Sequence, residues 1–552
     1  MRSLFLSFLT LFASVAGAAD YPLPAGADRA AERITRATLE APIRFLASDL
    51  LEGRGPATRG DELTQLYLAT EMQALGLEPG GPDGSFYQPF DIVGINAKVP
   101  DTWSFRTRGG QTLTLNRWND FIAASGVQNE RAAIENAELV FVGYGIQAPE
   151  YRWDDFKNAD LKGKVLVILN NDPDWDRKLF EGNRRLYYGR WTYKYESAAR
   201  QGAAGAIIIH TVPSAGYPWQ VVQTSWTGEQ FELPPTGEPR IEVAAWVTED
   251  AAKQLVSAAG RDLARLVESA RSRNFRPIPL GITTSLQLQN AISRKRTANV
   301  LGLLRGSERP DEVVVYTAHH DHLGTGEPDG EGDRIYNGAL DNASGTAQVL
   351  AIARAFAALP QRPSRSILFN FVAAEEQGLL GSRYYATHPT FHPGKMAANL
   401  NFDGGNIWGR STDIVQVGFG KSTLDDVVRH FAAQQGRLIK PEQFPDRGFY
   451  YRSDQFNFAK IGVPAIYLDT GVEFRDRPAG WGKQQIEAWE AKQYHQPSDE
   501  IDESWNFDGM IEDARLGFHA GLAIAQMPEM PGWNPGDEFE AARKKALAEA
   551  SR

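Results

Sequence analysis

The chain of 552 residues contains no cysteine. It can therefore form no disulfide bond, hold no metal ion through thiolate sulfur, use no thiol nucleophile and carry no lipid-modified cysteine. Any metal ion bound by the protein must be held by histidine, aspartate or glutamate. This absence narrows the search for a functional site to the nine histidines and the acidic residues around them.

An excess of basic residues is also lacking. The net charge is −11, the isoelectric point is about 5.5, and no run of lysine or arginine interrupts the sequence. Nucleic acid selects basic surfaces, so the composition argues against a nucleic-acid partner. The hydrophobic share of 42% and the charged share of 23% are ordinary for a globular protein. The length predicts two or three domains.

Long apolar runs are missing except at the start of the chain. Residues 1–19 combine a positive charge at Arg2, an apolar run from Leu4 to Val15 and a series of small residues. This pattern is typical of a secretory signal peptide, and the run is shorter than the roughly 20 apolar residues of a membrane helix. We predict a signal peptide over 1–19, no transmembrane segment and export to the periplasm or medium. Without cysteine the product is not a lipoprotein.

The remaining chain alternates between apolar strands and helices. Residues 20–135 begin with two helices and continue with short strands, whereas 136–280 predict a compact α/β module. Residues 281–530 predict a mixed, mostly parallel sheet with helices on both faces, because buried parallel strands are continuous apolar runs. The polar residues 531–552 predict a peripheral tail.

Histidines and acids follow several of these strands. The stretch VVVYTAHHDHLG, residues 313–324, holds three of the nine histidines. Functional groups in such folds lie at the carboxyl ends of strands, and these ligand types suit Zn²⁺, with Mn²⁺ or Co²⁺ as substitutes. The candidate residues at element ends are His319, Asp321, Asp341, Glu375, Glu376, Asp403 and His495.

Each candidate also has an ordinary interpretation. A single aspartate before a helix usually caps it, an isolated histidine is usually structural, and a pair of glutamates is usually solvated. Glu375 and Glu376, however, follow the apolar run ILFNFVAA and so leave a buried strand. Several such residues at separate element ends together favour a metal site.

The motifs HHD, LDNASG, AAEEQGLLGS, NFDGG, RSDQFNFAKIGVPAI and YHQPSD occur in this order. They resemble those of the co-catalytic dizinc aminopeptidases of metallopeptidase family 28, and the resemblance extends over residues 40–525. It implies a discontinuous zinc-peptidase domain over 20–135 and 281–530. It also implies that 136–280 are an inserted protease-associated domain.

The same resemblance implies a role for each ligand. His319 and Asp403 would bind one zinc ion, and Glu376 and His495 would bind the other. Asp341 would bridge the two ions.

The resemblance implies further roles around the metals. Glu375 would act as the general base, and Asp321 would hydrogen-bond His319, fix its tautomer and precede a cis peptide bond. Tyr494 would assist at the oxyanion or serve in packing. Arg452 would contact the substrate or form a surface ion pair.

Alternation along the strand separates the other two histidines of the cluster from His319. It predicts that His320 packs on the far side of the strand and that His322 lies at the rim of the cleft.

We therefore predict an exported zinc aminopeptidase that acts on peptides, with two Zn²⁺ per chain and an unknown oligomeric state. A carboxypeptidase or dipeptidase on the same scaffold is an alternative. Such enzymes bind a terminal carboxylate through clustered arginines, and the only such cluster is in EGNRRLYYGR, residues 181–190. A glutaminyl cyclase or a non-catalytic receptor-like relative is a further alternative, although the chain retains every ligand and the base.

Overall fold

The computed structural model describes residues 21–552. The predicted signal peptide lies outside the described residues. Within the described part, no helix combines the length and apolarity needed to cross a membrane.

The described residues form fifteen α-helices. They are α1 Ala27–Ala31, α2 Arg36–Leu46, α3 Arg59–Ala74, α4 Trp191–Arg200, α5 Val212–Ala215, α6 Trp219–Ser225, α7 Glu249–Ala258, α8 Leu263–Ala270, α9 Gly345–Ala357, α10 Leu380–Thr387, α11 Leu424–Gln434, α12 Gln455–Lys460, α13 Trp481–Lys492, α14 Asp508–Gln526 and α15 Glu540–Ala550.

The same residues form twenty-one strands. They are β1 Glu78–Pro79, β2 Tyr87–Lys98, β3 Thr102–Thr107, β4 Thr112–Asn116, β5 Phe121–Ser125, β6 Arg131–Phe141, β7 Gln147–Ala148, β8 Trp153–Asp154, β9 Val165–Leu169, β10 Gly205–His210, β11 Glu229–Glu232, β12 Val243–Thr248, β13 Ile278–Leu304, β14 Arg309–His319, β15 Gly324–Thr325, β16 Ile335–Tyr336, β17 Arg365–Val372, β18 Met396–Asn401, β19 Asp413–Val417, β20 Leu438–Pro441 and β21 Ala465–Asp469.

A mixed sheet with a parallel centre forms the larger part of the molecule. Strands β17, β14, β18 and β21 lie side by side and run parallel. The sheet continues antiparallel to β13 beyond β17, and antiparallel to β19 beyond β21. The predicted fold class, a mostly parallel α/β sheet with helices, is confirmed.

Helices cover both faces of this sheet. Along β14, Val314 and Tyr316 pack in the same core as α9 and α14, whereas Val313 and Val315 pack with side chains of α10 and α12. Alternate side chains of a strand point to opposite faces, so this strand is buried on both sides. Its position in the centre of the sheet fixes the direction of its carboxyl end.

A second sheet region carries the predicted α/β module. Strands β6, β9, β10 and β12 run parallel there, and β5 closes the edge antiparallel to β12. The 27-residue strand β13 pairs with β3 and β6 along its first half. Its second half pairs with β2 and β17, so one strand joins the module to the larger sheet.

The strands β3, β4 and β5 lie outside the predicted limits of the module, 136–280. Their side chains Trp103, Phe105 and Phe121 nonetheless share the hydrophobic core of the module. We therefore propose that the module begins between β2 and β3 rather than at residue 136.

Candidate metal centre

The carboxyl ends of three parallel strands bring together candidates that are far apart in the sequence. His319 is the last residue of β14, and Asp403 comes two residues after the end of β18. Glu375 and Glu376 follow β17, after Ala374 turns the chain with a positive φ of 55°. Because these strands are parallel neighbours, their ends meet at one edge of the sheet.

Asp341 reaches the same place from an irregular helical turn, Ala339–Ser344, directly before α9. The carboxylate of Asp499 holds this turn, accepting hydrogen bonds from the backbone N–H of Leu340 at 2.9 Å and of Asp341 at 3.0 Å. Burial raises the pKa of Asp499 to about 6, which the same two N–H groups oppose. A cis peptide bond follows Asp341, not Asp321 as expected.

Asp341 stands between two pairs of ligand candidates. Its Oδ1 lies 3.2 Å from Nε2 of His319, which lies 3.2 Å from Oδ1 of Asp403. Its Oδ2 lies 3.2 Å from Nε2 of His495, which lies 3.1 Å from Oε2 of Glu376. The two oxygens of one carboxylate thus face two separate pairs, which is the arrangement a bridging ligand requires.

Both histidines direct Nε2 toward these carboxylates, whose charges raise the pKa of both imidazoles against the effect of burial. Nδ1 of His319 donates to the backbone carbonyl of Asp321 at 3.2 Å, and Nδ1 of His495 lies 2.7 Å from Oγ of Ser225. A carbonyl only accepts, so Nδ1 of His319 carries a proton, and Nε2 is the nitrogen that a neutral ring would offer to a metal ion. Nε2 of His495 is buried and makes no aligned hydrogen bond. These residues fit Zn²⁺, which binds neutral imidazole and carboxylate.

Glu375 lies beside the ligands but farther from them. Its Oε2 is 3.9 Å from Nε2 of His319, compared with 3.2 Å for the oxygens of Asp341 and Asp403. Glu375 is 9% exposed. Burial raises the pKa of its carboxyl well above the usual value, although His319 opposes the shift. A group with a raised pKa beside a metal site is suited to proton transfer.

The carboxylate of Asp321 does not form the predicted hydrogen bond with His319. It lies 3.8 Å from Nδ1 of His319, too far for a hydrogen bond, and the backbone carbonyl of Asp321 takes that place. The carboxylate instead accepts from the backbone N–H of Glu375 at 3.0 Å and of Glu376 at 3.4 Å. Asp321 therefore positions His319 through its main chain and the two glutamates through its side chain.

Of the two histidines next to His319 in the sequence, His320 lies in the core and His322 lies at the site. His320 is buried, and its Nε2 lies 3.0 Å from Oδ1 of Asp61, in agreement with the predicted position on the far side of the strand. The prediction that His322 lies at the rim of the cleft is wrong. His322 is fully buried, and its Nδ1 lies 2.7 Å from Oε1 of Glu376.

Tyr494 and Arg452 line the cleft above the ligands. The ring of Tyr494 lies 3.9 Å from that of His495, measured between centroids, and its hydroxyl accepts from Nη2 of Arg452 at 2.9 Å. Arg452 forms no ion pair with any residue of 21–552, so its interpretation as part of a surface ion pair is wrong. Its guanidinium instead lies over the rings of Phe449 and Tyr217.

Three residues that support the site were not predicted from the sequence: Arg54, Ser225 and Asp499. Arg54 is fully buried and donates to the backbone carbonyls of His320, at 2.9 Å, and of Gly338, at 3.0 Å. Arg54 and Asp499 lie within motifs that the sequence offers, LLEGRG and YHQPSD. Ser225 ends α6 in the inserted module and carries no sequence signal, because its role depends on the contact between two distant segments.

Replacement of Ser225 by alanine tests the support of His495. We expect Ser225→Ala to weaken Zn²⁺ binding by roughly 10- to 100-fold, because the imidazole loses the partner that orients it. Competition with a fluorescent zinc chelator measures this change. Thr224→Ala is the control, since its hydroxyl bonds only carbonyls of its own helix. Equal affinities of the Ser225→Ala variant and the wild type would contradict the assignment.

Comparison with known proteins shows which proteins the segment with these residues is similar to. Residues 299–518 match the model of Peptidase family M28. Over 108 residues the chain is 35% identical to the aminopeptidase NAALADL1 of Rattus norvegicus, a match covering 19% of this chain and 13% of that protein. Over 91 residues it is 44% identical to a probable zinc metalloprotease of Leptosphaeria maculans, covering 16% of this chain and 20% of that protein. The matches thus span a fifth or less of these relatives.

The fold has a solved counterpart. An aminopeptidase from Aneurinibacillus sp. strain AM-1 aligns over 91% of this chain and 97% of its own, with a TM-score of 0.52 and 17% identity. This likeness concerns the fold alone. The segment that matches the model of Peptidase family M28 contains every proposed ligand from His319 to His495.

Proposed function

We propose that the protein is an exported zinc aminopeptidase that removes N-terminal residues from peptides with two zinc ions. The observation that carries the proposal is the placement of Asp341, whose two oxygens face His319 with Asp403 and His495 with Glu376. In this assignment each pair would hold one ion, and Asp341 would contribute one oxygen to each. Mn²⁺ or Co²⁺ are possible substitutes with the same ligand set.

Glu375 is proposed as the general base. When bound, the zinc ions supply Lewis acidity toward the attacking water and the scissile carbonyl. Glu375 accepts the proton of that water and passes it to the amine that leaves. Asp321 holds the Glu375 backbone in place, and Tyr494 is proposed to donate from its hydroxyl to the developing oxyanion.

The acidic lining of the cleft supports recognition of a free amino group. Asp469 at the end of β21 and Glu442 both line the cleft beyond the ligands. Burial raises the pKa of both carboxyl groups to about 7, so above that pH they are ionised and suit a protonated α-amine of a peptide. NAALADL1 of Rattus norvegicus, to which part of the chain is similar, is named an aminopeptidase, which supports cleavage from the N-terminal end.

The inserted module is proposed to be a protease-associated domain that completes the cleft. It supplies Ser225 to His495, and Gln220 of the same helix donates to the carbonyl of Ala491 at 3.0 Å. The module thus holds the loop that carries one ligand.

Blocking the substrate at either end tests the direction of cleavage. We expect hydrolysis of leucine p-nitroanilide, which has a free α-amino group. We expect no hydrolysis of N-acetyl-leucine p-nitroanilide, because its acetylated nitrogen carries no charge. Release of p-nitroaniline measures the hydrolysis of these two substrates. Release of amino acids from peptides blocked at one end shows from which end the enzyme cleaves. Cleavage of N-acetylated peptides from the C-terminal end would contradict an aminopeptidase and favour the carboxypeptidase alternative.

Replacement of Glu375 by glutamine tests the base. We expect Glu375→Gln to retain Zn²⁺ but to lower kcat by about 10²- to 10⁴-fold, because glutamine cannot accept the proton. Metal content and kcat are measured on the same preparation. The exposed Glu503→Gln is the matched control. A variant that keeps both its zinc and most of its activity would remove Glu375 from this role.

The number of metal ions tests the bridge. We expect about two zinc ions per chain by elemental analysis, as a carboxylate-bridged pair requires. Dialysis against a chelator abolishes activity, and Zn²⁺ restores it. One ion per fully active chain would contradict the bridging role of Asp341.

A further inference from the structure

A second cavity lies apart from the cleft at the metal centre. It has a volume of about 210 Å³ and shares no lining residue with that cleft. Residues 97–99, at the end of β2, form one part of its wall, 122–125 of β5 form another, and 226–228 form a third. This cavity, which we call the slot, therefore lies between two strands that are not paired with each other.

Strand β5 leaves one of its edges open beside the slot. Among the strands of residues 21–552, it pairs only with β12. The N–H of Gly126 donates to the carbonyl of Glu242, which places the backbone groups of even-numbered residues toward β12. Successive residues of an antiparallel strand direct their N–H and C=O groups to opposite edges. Ala123, which lines the slot, therefore directs its backbone groups away from β12.

Strand β2 has an open edge of the same kind. The N–H of Leu301 in β13 donates to the carbonyl of Phe86, so even-numbered residues of β2 direct their backbone groups to β13 and odd-numbered residues to the opposite edge. Strand β11 occupies this opposite edge only from Val93 to Asn96. Ala97 therefore directs its N–H and C=O past the end of β11, beside the slot.

The lining of the slot adds apolar side chains and positive charge to these open edges. Ile95 and Ile122 supply apolar contact, Lys98 and Arg117 supply charge, and no carboxylate of residues 21–552 lines the slot. Lys98 forms no ion pair within the same residues, and Arg117 faces the exposed Asp101 at 3.5 Å. Open strand edges bind extended polypeptide through main-chain hydrogen bonds. A peptide with alternating apolar and acidic side chains complements this lining.

One segment connects the slot with the metal centre. At its start, Oγ of Ser225 lies 2.7 Å from Nδ1 of His495. At its end, the N–H of Phe231 donates at 2.9 Å to Oε1 of Gln377, which directly follows the ligand Glu376. The residues directly after Ser225 line the slot. A peptide that fixes this segment would therefore act on two loops that carry proposed ligands.

We propose that the slot binds an extended acidic peptide as an added strand, and that this binding tightens the binding of zinc at the metal centre. The bound strand would hold residues 226–228 and so keep Ser225 against His495, which orients the imidazole for the metal ion. Coupling between two sites is reciprocal, so zinc would also strengthen the binding of the peptide. The slot is separate from the cleft, and the inference goes beyond the proposed aminopeptidase activity.

Calorimetry on the full chain with zinc tests the site. The probe is Ac-Val-Glu-Val-Glu-NH₂, which is blocked at both ends and so resists an exopeptidase. We expect it to bind at least about tenfold tighter than Ac-Val-Lys-Val-Lys-NH₂, because its carboxylates meet Lys98 and Arg117. The acidic peptide with methylated backbone nitrogens cannot donate to the strand edges and should bind weakly. Equal binding of the acidic and basic peptides, or of the acidic peptide and its methylated version, overturns the site.

Variants of the wall locate the binding. Ala97→Phe fills the slot and should abolish binding of the acidic peptide, whereas Lys98→Gln should reduce its preference over the basic one. The matched control is Arg106→Gln, which removes an exposed arginine of β3 that does not line the slot. Unchanged binding in both Ala97→Phe and Lys98→Gln places the peptide elsewhere and overturns the proposal.

The coupling is measured by competition with a fluorescent zinc chelator, with and without saturating Ac-Val-Glu-Val-Glu-NH₂. We expect the peptide to tighten zinc binding by about fivefold or more, the usual range of coupling between sites. Ser225→Ala should still bind the peptide but lose this effect, since the contact with His495 is gone. Peptide binding with unchanged zinc affinity in the wild type overturns the coupling. Neither measurement depends on hydrolysis, so failure of the aminopeptidase assignment is separately detected with leucine p-nitroanilide.

Discussion

The concentration of carboxylates at one edge of the sheet is the constraint on which the site depends. Asp341, Glu375, Glu376 and Asp403 converge around two imidazoles, with oxygens and nitrogens 3.1 to 3.9 Å apart. Buried like charges repel, so such a cluster requires cations. A pair of divalent ions would meet this requirement, and the hydrogen bonds around the cluster hold its side chains and backbone in place.

That support comes from every part of the chain. Arg54 near the start of the described chain and Asp499 near its end both fasten the turn that carries Asp341. Asp321 fastens the two glutamates, and its carbonyl selects the tautomer of His319. Loss of any of these groups would leave the ligands present but free to move, and metal sites are sensitive to such displacement.

The inserted module takes part in the site rather than lying beside it. Its helix α6 carries Ser225 to His495, and Gln220 of the same helix donates to the carbonyl of Ala491. The shared strand β13 fixes the module relative to the larger sheet, because its two halves pair with strands of both. The module therefore contacts the segment that carries His495, one of the proposed ligands.

Much of the fold could be predicted because strand and helix patterns are local. The apolar runs before His319 and Glu375 indicated buried parallel strands, and strand ends indicated the place of the site. The position of His322 could not be predicted this way. Beyond the end of a strand, alternation no longer determines direction, and the chain turned this side chain inward against Glu376. The proposed start of the module between β2 and β3 could not be predicted, because β3 and β5 pair with the distant strands β13 and β12.

The sequence by itself determined which groups are available for chemistry. Without cysteine, the metal ligands had to be histidines and carboxylates, and the order of the motifs indicated which ones. Only the tertiary structure decided how these groups act. The two oxygens of Asp341 face different partners, and Ser225 contacts His495; both arrangements join residues far apart in the chain. Such contacts follow from the packing of whole sheets and helices, and no local pattern of residues encodes them.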